Sequence, residues 1–203
     1  MHKRNALKLI AASVGVICAS GLFVACSEPA AKFVAVDLTG ADYAKDFQLT
    51  DHNGQPRSLK DFAGKLVVVF FGYTQCPDVC PTSMAELAEV KKSLGADGEK
   101  LQGIFVTVDP ARDTPEVLKA YMANFDPTFL ALIPTPTQLA ALAKDYKVYY
   151  KKVDGPTPTS YTMDHSAGSY VYDTQGRLRL YARYGGGAAA LAGDLELLLK
   201  QKT

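Results

Sequence analysis

The chain has 203 residues, of which 48% are hydrophobic and 21% charged, with a formal net charge of +1. These values are typical of a globular protein of one domain and exclude the disordered, collagen-like and disulfide-dense classes. The first 25 residues hold three basic and no acidic residues, so the remainder has 19 basic and 21 acidic residues and a net charge of −2. Such a body lacks the clustered Lys and Arg that phosphate neutralisation requires, which argues against nucleic acid as a partner.

The N-terminal segment, residues 1–25, has the pattern of a targeting sequence. Basic residues precede an apolar run of 17 residues, Leu9–Ala25, which is shorter than the ~20 residues that a membrane-spanning helix needs. The pattern predicts a secretory signal peptide, with an uncleaved membrane anchor as the alternative. The run is followed by Cys26 and resembles the lipobox of bacterial lipoproteins, although that motif prefers Leu where this chain has Phe23.

This interpretation places the folded part outside the cytoplasm, on the periplasmic side, in an oxidising compartment. By the lipobox resemblance, Cys26 becomes the lipidated first residue and anchors the protein to the membrane. Residues 26–44 begin with small and apolar side chains of no clear period, so we expect them to form a stalk. Residues 45–203 are expected to form the single folded domain.

The elements predicted along this domain alternate between strand and helix. In order they are a hairpin turn at Asp51–Gly54, a buried strand at Lys65–Tyr73, a helix beginning near Pro81, a second buried strand at Gly103–Val108, a helix from Pro115 to Asn124, a helix at Thr137–Tyr146, a short strand at Val148–Val153, a loop at 154–159, an antiparallel hairpin of Ser169–Asp173 and Leu178–Arg183, and a helix at Ala188–Lys200. The continuous apolar strands are typical of a sheet covered on both faces. A βαβ half followed by a ββα half predicts an α/β protein of thioredoxin-like fold, with a central mixed sheet flanked by helices. His52 lies in the first hairpin turn and is expected to be exposed.

Two cysteines and two histidines remain for the folded domain once the N-terminal segment is set aside. Cys76 and Cys80 lie in the loop between the first buried strand and its helix. In open α/β sheets, ligands gather beyond the carboxyl ends of the parallel strands, which is where this loop falls. A domain of this size needs no disulfide to fold, so we interpret the pair as reactive or metal-binding, with a surface disulfide as the alternative.

The surroundings of the two thiols favour a soft metal ion. Pro81 disfavours helical dihedrals at Cys80, so Cys80 is expected to cap the helix with its thiol near the positive helix end. Both sulfurs are then expected to lose their protons more readily than a free cysteine. A pair of thiolates is a soft donor set that suits Cu(I) better than magnesium or calcium. The spacing of Cys76 and Cys80 also allows a redox disulfide between them.

A thiolate pair alone leaves an ion under-coordinated, so a third donor is needed. His165 shortly precedes the predicted strand at Ser169, and in a thioredoxin-like sheet the loop entering that strand faces the cysteine loop. The alternative is a histidine that is hydrogen-bonded within a partly buried loop. Its neighbour Asp164 is expected either to orient the imidazole as a hydrogen-bond acceptor or to cap the loop.

Three stretches of the chain resemble the signature sequences of the Sco/SenC family. They are Gly72–Pro81, Val108–Pro115 and Asp164–Ser166, and the resemblance extends over nearly all of Phe47–Lys200. That family comprises membrane-tethered, thioredoxin-like proteins that bind one copper ion. They deliver it to the dinuclear copper centre, CuA, of cytochrome c oxidase subunit II.

The resemblance implies that Cys76, Cys80 and His165 are copper ligands, with copper held as Cu(I) or Cu(II). It also implies subunit II as a partner and is compatible with a copper donor protein. Gln75 departs from the histidine or other polar residue of many relatives and leaves the ligand set intact. The stretch Asp109–Asp113 has two interpretations: it shapes the copper loop or a partner surface, or it forms a strand-end turn and helix cap.

Three other functions use the same residues. A thiol–disulfide oxidoreductase would use Cys76 and Cys80 to keep a partner's metal-binding cysteines reduced, although the spacer usual in such enzymes has two residues. A thiol peroxidase needs a poised cysteine, and the proline after Cys76 is unlike such active sites. A structural zinc site needs four protein ligands, whereas the domain offers two cysteines and one well-placed histidine. The sequence therefore predicts a metallochaperone, which is a binding protein rather than an enzyme.

Overall fold

The computed structural model describes residues 32–157 and 160–201. Its strands are β1 Val36–Asp37, β2 Leu49–Asp51, β3 Pro56–Arg57, β4 Leu66–Gly72, β5 Leu101–Thr107, β6 Leu130–Ile133, β7 Tyr150–Asp154, β8 Tyr161–His165, β9 Ser169–Tyr172 and β10 Leu178–Ala182. Its α-helices are α1 Val79–Ser93, α2 Pro115–Ala123, α3 Pro136–Tyr146 and α4 Ala188–Lys200, and two 3₁₀-helices lie at Leu59–Phe62 and Gly95–Lys100. Helix α4 has the same bounds as the last helix predicted from the sequence.

Eight of these strands form one mixed sheet in the order β1-β10-β9-β4-β5-β6-β2-β3. Strands β4, β5 and β6 are parallel, whereas β9 runs antiparallel to β4. Every residue of β4 and β5 is buried, as expected of apolar strands covered by helices on both faces. The predicted α/β, thioredoxin-like fold with a central mixed sheet in a single domain is confirmed.

Helices α2 and α3 begin at the threonine and proline pairs that the sequence contains. The side chain of Thr114 accepts a hydrogen bond from the amide of Val117, and Thr135 accepts one from Gln138. In both helices proline occupies the first turn, where its missing N–H costs nothing because that donor has no intrahelical partner. The positions of these helices follow from local sequence alone.

The described part of the expected stalk, residues 32–44, packs on the domain. Strand β1 pairs with β10 at one end of the main sheet. The amides of Val34 and Ala35 donate to the buried carboxylate of Asp194 at 2.9 and 2.8 Å. The pairing with β10 and the hydrogen bonds to Asp194 attach these residues to the domain.

The N-terminal predictions fall on residues 1–31, which lie outside the described residues. These predictions are the signal peptide or anchor at 1–25, the lipidated Cys26 and the first part of the stalk. Among the helices of residues 32–157 and 160–201, none combines the length and apolarity that a bilayer crossing requires.

The chain between α3 and β9 differs from the sequence prediction. Strand β8 occupies Tyr161–His165, where no strand was expected, and pairs with β7 as an antiparallel two-stranded sheet. The start of β8 has the alternation that indicates a half-buried strand, with Met163 buried between exposed neighbours. His165 is therefore the last residue of a strand rather than a loop residue.

Candidate metal centre

The cysteine loop joins the carboxyl end of β4 to helix α1. Asp78 takes the position before the helix, and α1 begins at Val79, so Cys80 lies within the first helical turn. The expectation that Cys80 caps the helix is therefore wrong by two positions. Pro81 is accommodated because the first four amides of a helix have no carbonyl partner within the helix. Cys80 is buried, whereas Cys76 is partly exposed, and both are free thiols.

The structure brings His165 against this pair of sulfurs. Its Nε2 atom lies 3.3 Å from Sγ of Cys80. The donor atoms of Cys76, Cys80 and His165 all lie within 4.8 Å of one another. The backbone amide of Cys80 donates to Sγ of Cys76 at 3.5 Å, which holds the two sulfurs on the same side of the loop. The three donors can thus converge on one ion.

The hydrogen-bond partners of the imidazole assign its tautomer. Its Nδ1 atom is 2.9 Å from the carbonyl oxygen of Ser166, and because a carbonyl can only accept, Nδ1 carries the proton. The lone pair of Nε2 therefore faces the sulfurs, as a metal ligand requires. Asp164, which we expected to orient the ring or cap the loop, is exposed. The orienting acceptor is the Ser166 carbonyl instead, because side chains alternate along β8 and the carboxylate of Asp164 points to the face opposite His165.

Burial sets the protonation states of two of the donors. Burial lowers the pKa of the His165 imidazole, which keeps the ring neutral and able to coordinate. Burial also raises the pKa of the Cys80 thiol, and the neighbouring Cys76 adds to this effect. This direction is opposite to the expectation that the Cys80 sulfur loses its proton more readily than a free cysteine, because burial penalises the charged thiolate. A metal ion must therefore displace the Cys80 proton on binding.

Aromatic rings hold the imidazole in place. The rings of Phe70 and Tyr73 meet the His165 ring edge to face, with centroids 6.0 and 5.8 Å away. Phe70 belongs to β4, and Tyr73 follows its last residue. The strand that leads into the cysteine loop therefore also supplies the packing surface for the histidine.

The stretch Asp109–Asp113, which follows β5, forms hydrogen bonds with residues next to the metal centre. The buried carboxylate of Asp113 accepts hydrogen bonds from the hydroxyls of Thr74 and Thr107, both at 2.6 Å. Burial raises the pKa of Asp113, while these hydrogen bonds act in the opposite direction. Asp109 accepts from the hydroxyl of Tyr161 at 2.9 Å. Of the two interpretations of this stretch, shaping of the cysteine loop is supported, and Thr114 forms the helix cap as well.

The other candidate histidine, His52, lies outside this cluster. It is partly buried rather than exposed as expected. Its Nδ1 atom accepts a hydrogen bond from the amide of Ala131 at 3.0 Å, and its own amide donates to the Ala131 carbonyl at 2.9 Å. These bonds attach the predicted hairpin turn to β6, which a local pattern does not reveal.

Fold and site together define a thioredoxin-like protein with a Cys–Cys–His cluster beyond the carboxyl end of its central strand. Residues 36–200 match the family model described as SCO1/SenC, and the chain belongs to that family. The predicted membership of the Sco/SenC family is thereby confirmed.

Curated relatives match the chain over part of their length. The SCO2-like protein of Rickettsia felis is 37% identical over 133 residues, which is 65% of each chain. The mitochondrial SCO2 homolog of Mus musculus is 38% identical over 133 residues, covering 64% of this chain and 52% of its own. The match therefore spans less than two thirds of the length of these relatives.

Solved structures of relatives match more completely. The structure of Bradyrhizobium japonicum ScoI with copper bound is 43% identical, with a TM-score of 0.68, and covers 74% of this chain and 96% of its own. The crystal structure of yeast Sco1 with copper bound is 31% identical, with a TM-score of 0.71, and covers 78% and 88%.

Proposed function

We propose that the protein is a copper metallochaperone that binds one copper ion through Sγ of Cys76, Sγ of Cys80 and Nε2 of His165. The observation that carries this proposal is the convergence of these three donors within 4.8 Å. Two sulfurs and a neutral imidazole form a soft donor set that suits Cu(I), and Cu(II) accepts the same ligands. The copper-bound structures of ScoI and Sco1 support copper as the cargo.

A site of three donors suits an ion that has to be passed on. Cys76 and His165 are partly exposed, so an incoming ligand can reach the ion, whereas Cys80 is buried. Structural zinc normally takes four protein ligands, and the cluster among the described residues has three. We propose that the recipient is the CuA centre in subunit II of cytochrome c oxidase, as family membership implies.

The N-terminal segment supplies the proposed location. Residues 1–25 have the pattern of a signal peptide or anchor, and Cys26 follows an apolar run as in a lipobox. We propose that the domain is tethered to the membrane on the periplasmic side, where its recipient centre is assembled. Membrane fractionation of wild type and Cys26→Ser tests the tether, because loss of lipidation releases the variant unless the apolar run itself remains as an anchor.

A second candidate function is thiol–disulfide exchange with a partner. It is favoured by the free thiols of Cys76, which is accessible, and Cys80, which is buried behind it. In this reaction the Cys76 thiolate attacks one sulfur of a partner disulfide, forms a mixed disulfide with it and releases the other partner sulfur as a thiolate. Cys80 then attacks Sγ of Cys76 and releases the first partner sulfur. The pair becomes a disulfide, and two electrons and two protons reduce the partner to a dithiol. This reaction does not require the imidazole of His165.

Copper stoichiometry of the reduced protein tests the proposal. All samples carry Cys18→Ser and Cys26→Ser, because the thiols of the N-terminal segment would otherwise bind additional Cu(I). We expect one equivalent of Cu(I) for this background, loss of binding with Cys76→Ser or Cys80→Ser, and weaker binding with His165→Ala. His52→Ala is the matched control, since His52 is a partly buried histidine outside the cluster. Full retention of copper affinity by His165→Ala would remove His165 from the site, and cellular activity of that variant would favour thiol–disulfide exchange.

A further inference from the structure

The hairpin of β7 and β8 carries His165 but is separate from the main sheet. Its two strands pair with each other as a two-stranded sheet, whereas β4, which leads into the cysteine loop, lies inside the eight-stranded sheet. His165 lies four residues before Ser169 of β9, which pairs with Phe70 of β4, but among the described residues no strand pairing joins β8 itself to the main sheet. The distance between the histidine and the two sulfurs therefore also depends on side-chain contacts between the hairpin and the body.

Arg112 makes such contacts to both sides at once. Its Nη1 atom donates to Oε1 of Gln75, the residue before Cys76, at 3.0 Å, and to the carbonyl oxygen of Tyr161 at 2.9 Å. Its Nε atom donates to the carboxylate of Asp109. One guanidinium thus connects the cysteine loop to the first residue of the strand that ends at His165.

The side chain of Tyr161 strengthens this connection. The guanidinium carbon of Arg112 lies 3.5 Å from the centroid of the Tyr161 ring, within the range of a strong cation–π contact. The ammonium group of Lys152 lies 4.4 Å from the same centroid. The hydroxyl of Tyr161 donates to Asp109, the carboxylate that also pairs with Arg112. The hairpin is therefore attached to the body by a closed network of Asp109, Arg112 and Tyr161.

A further feature of Arg112 points to more than a stability role. Its Nη2 atom is buried and has no hydrogen-bond partner among the described residues. Leaving a buried donor unpaired costs about 1–3 kcal/mol. The other two nitrogens of the Arg112 guanidinium connect the cysteine loop to the β7–β8 hairpin. A planar guanidinium that makes these contacts while one buried N–H stays unpaired is typical of a residue whose role is geometric.

We infer that Arg112 is a positioning residue that sets the separation between the His165 imidazole and the Cys76–Cys80 sulfur pair. This inference rests on the proposed copper site. With Arg112 in place, the hairpin holds Nε2 near the sulfurs and the ion has three ligands. Without it, the contacts that join the start of β8 to the cysteine loop are lost, the separation between Nε2 and the sulfurs increases, and the third ligand binds the ion more weakly. Lysine is a poor substitute, because a single ammonium cannot bond to Gln75, Tyr161 and Asp109 in one plane.

The variants that test this inference are Arg112→Met, which keeps the apolar stem and removes every donor, and Arg112→Lys. Arg57→Met is the matched control, because Arg57 also pairs with a buried carboxylate, that of Asp51, at 2.8 Å on the β2–β3 hairpin. Each protein is checked for folding by thermal unfolding. Cu(I) affinity is measured by competition with a chelator, and the Cu(II) form is recorded by visible absorption and electron paramagnetic resonance.

Loss of a group that orients a metal ligand costs about 10–100-fold in affinity. We expect both Arg112 variants to bind one copper ion at least about tenfold more weakly than wild type, and to give Cu(II) spectra shifted towards those of His165→Ala. Arg57→Met should retain the wild-type affinity and spectrum. Wild-type spectra and affinity in folded Arg112→Met would overturn the inference.

Hydrogen exchange of the metal-free protein separates failure of this inference from failure of the proposed function. We expect the amides of β8 to exchange faster in Arg112→Met than in wild type, while the amides of β4 are unchanged. If wild type itself binds no copper, the proposed function fails, and the exchange of β8 still decides whether Arg112 holds the hairpin. Equal exchange of β8 in both proteins would show that it does not.

Discussion

A β-carbon at Gly72 would lie 2.8 Å from Sγ of Cys80. The last residue of β4 therefore lacks a side chain at the place where the buried sulfur of α1 contacts the strand. The same β-carbon would meet ring atoms of Phe70 at 2.8 Å and Phe105 at 2.9 Å, which leaves little room for relaxation. The absence of a side chain at Gly72 thus lets the Cys80 sulfur pack directly against the end of β4.

Gly72→Ala is expected to destabilise the protein and to disturb copper binding. Overpacking of a filled core costs about 1–3 kcal/mol, and the Cys80 side chain has to shift to accept the methyl group. Thermal unfolding and Cu(I) competition measure the two effects. Gly193→Ala in α4 is the control, because its β-carbon meets no described atom within 4 Å and the helix gains about 0.5–1 kcal/mol from alanine. Unchanged copper affinity in Gly72→Ala would contradict the expectation.

The two thiols are expected to react at different rates. Cys76 is partly exposed, whereas Cys80 is buried and burial raises the pKa of its thiol, so little Cys80 thiolate forms at neutral pH. Alkylation by iodoacetamide, mapped by peptide mass spectrometry, should modify Cys76 at least about tenfold faster than Cys80. Cys76→Ser reports the rate of Cys80 alone. Equal rates at the two positions would contradict this account of the site.

The stability of the metal-free protein is expected to fall as the pH is lowered below the unfolded-state pKa of histidine, which is near 6.5. Burial lowers the folded-state pKa of His165, so the unfolded chain binds a proton first and gains free energy relative to the folded chain. Burial lowers the pKa of His52 in the same way. Comparison with His165→Gln isolates the contribution of His165.

The measurement is the free energy of unfolding in urea between pH 7.5 and pH 5. The contribution of His165 is fully present above the unfolded pKa and is lost as the pH falls towards the folded pKa. The wild type should therefore lose more stability over this range than His165→Gln. Parallel curves for the two proteins would show that His165 titrates normally and is not desolvated.

Asp113→Asn is expected to destabilise the cysteine loop. The carboxylate accepts from Thr74 on one oxygen and from Thr107 on the other, whereas an amide offers a single acceptor oxygen. A buried donor without a partner costs about 1–3 kcal/mol, which thermal or urea unfolding detects. Asp97→Asn is the control, since Asp97 forms an exposed ion pair with Lys100, and such pairs contribute about 0–1 kcal/mol. An equal effect of the two substitutions would argue against a bracing role for Asp113.

Elements with a strong local pattern could be predicted from the sequence. The apolar run of β4 and the Thr–Pro start of α2 were found because their signals lie within a few residues, and α3 was placed to within one residue by its periodicity. Strand β8 was missed because only Met163 of its residues is buried, so it lacks the continuous apolar run that marks β4. The packing of β1 against β10 was missed because its partner lies far along the chain.

The candidate site could be predicted in composition but not in detail. Cys76, Cys80 and His165 stood out because few other soft donors exist in the folded domain. The role of the Ser166 carbonyl was not predictable, because any residue has a carbonyl and its direction depends on the turn after β8. Arg112 was not singled out either, since its partners Gln75 and Tyr161 are distant in sequence.

The sequence by itself determined which donors the domain possesses and the order of strands and helices that carries them, because donor identity and hydrophobic periodicity are properties of the residues themselves. Tertiary structure decided the separation of donors that are 85 residues apart, the tautomer of the imidazole and the protonation of Cys80. These quantities depend on distance and on burial, which arise when the β7–β8 hairpin packs against the cysteine loop.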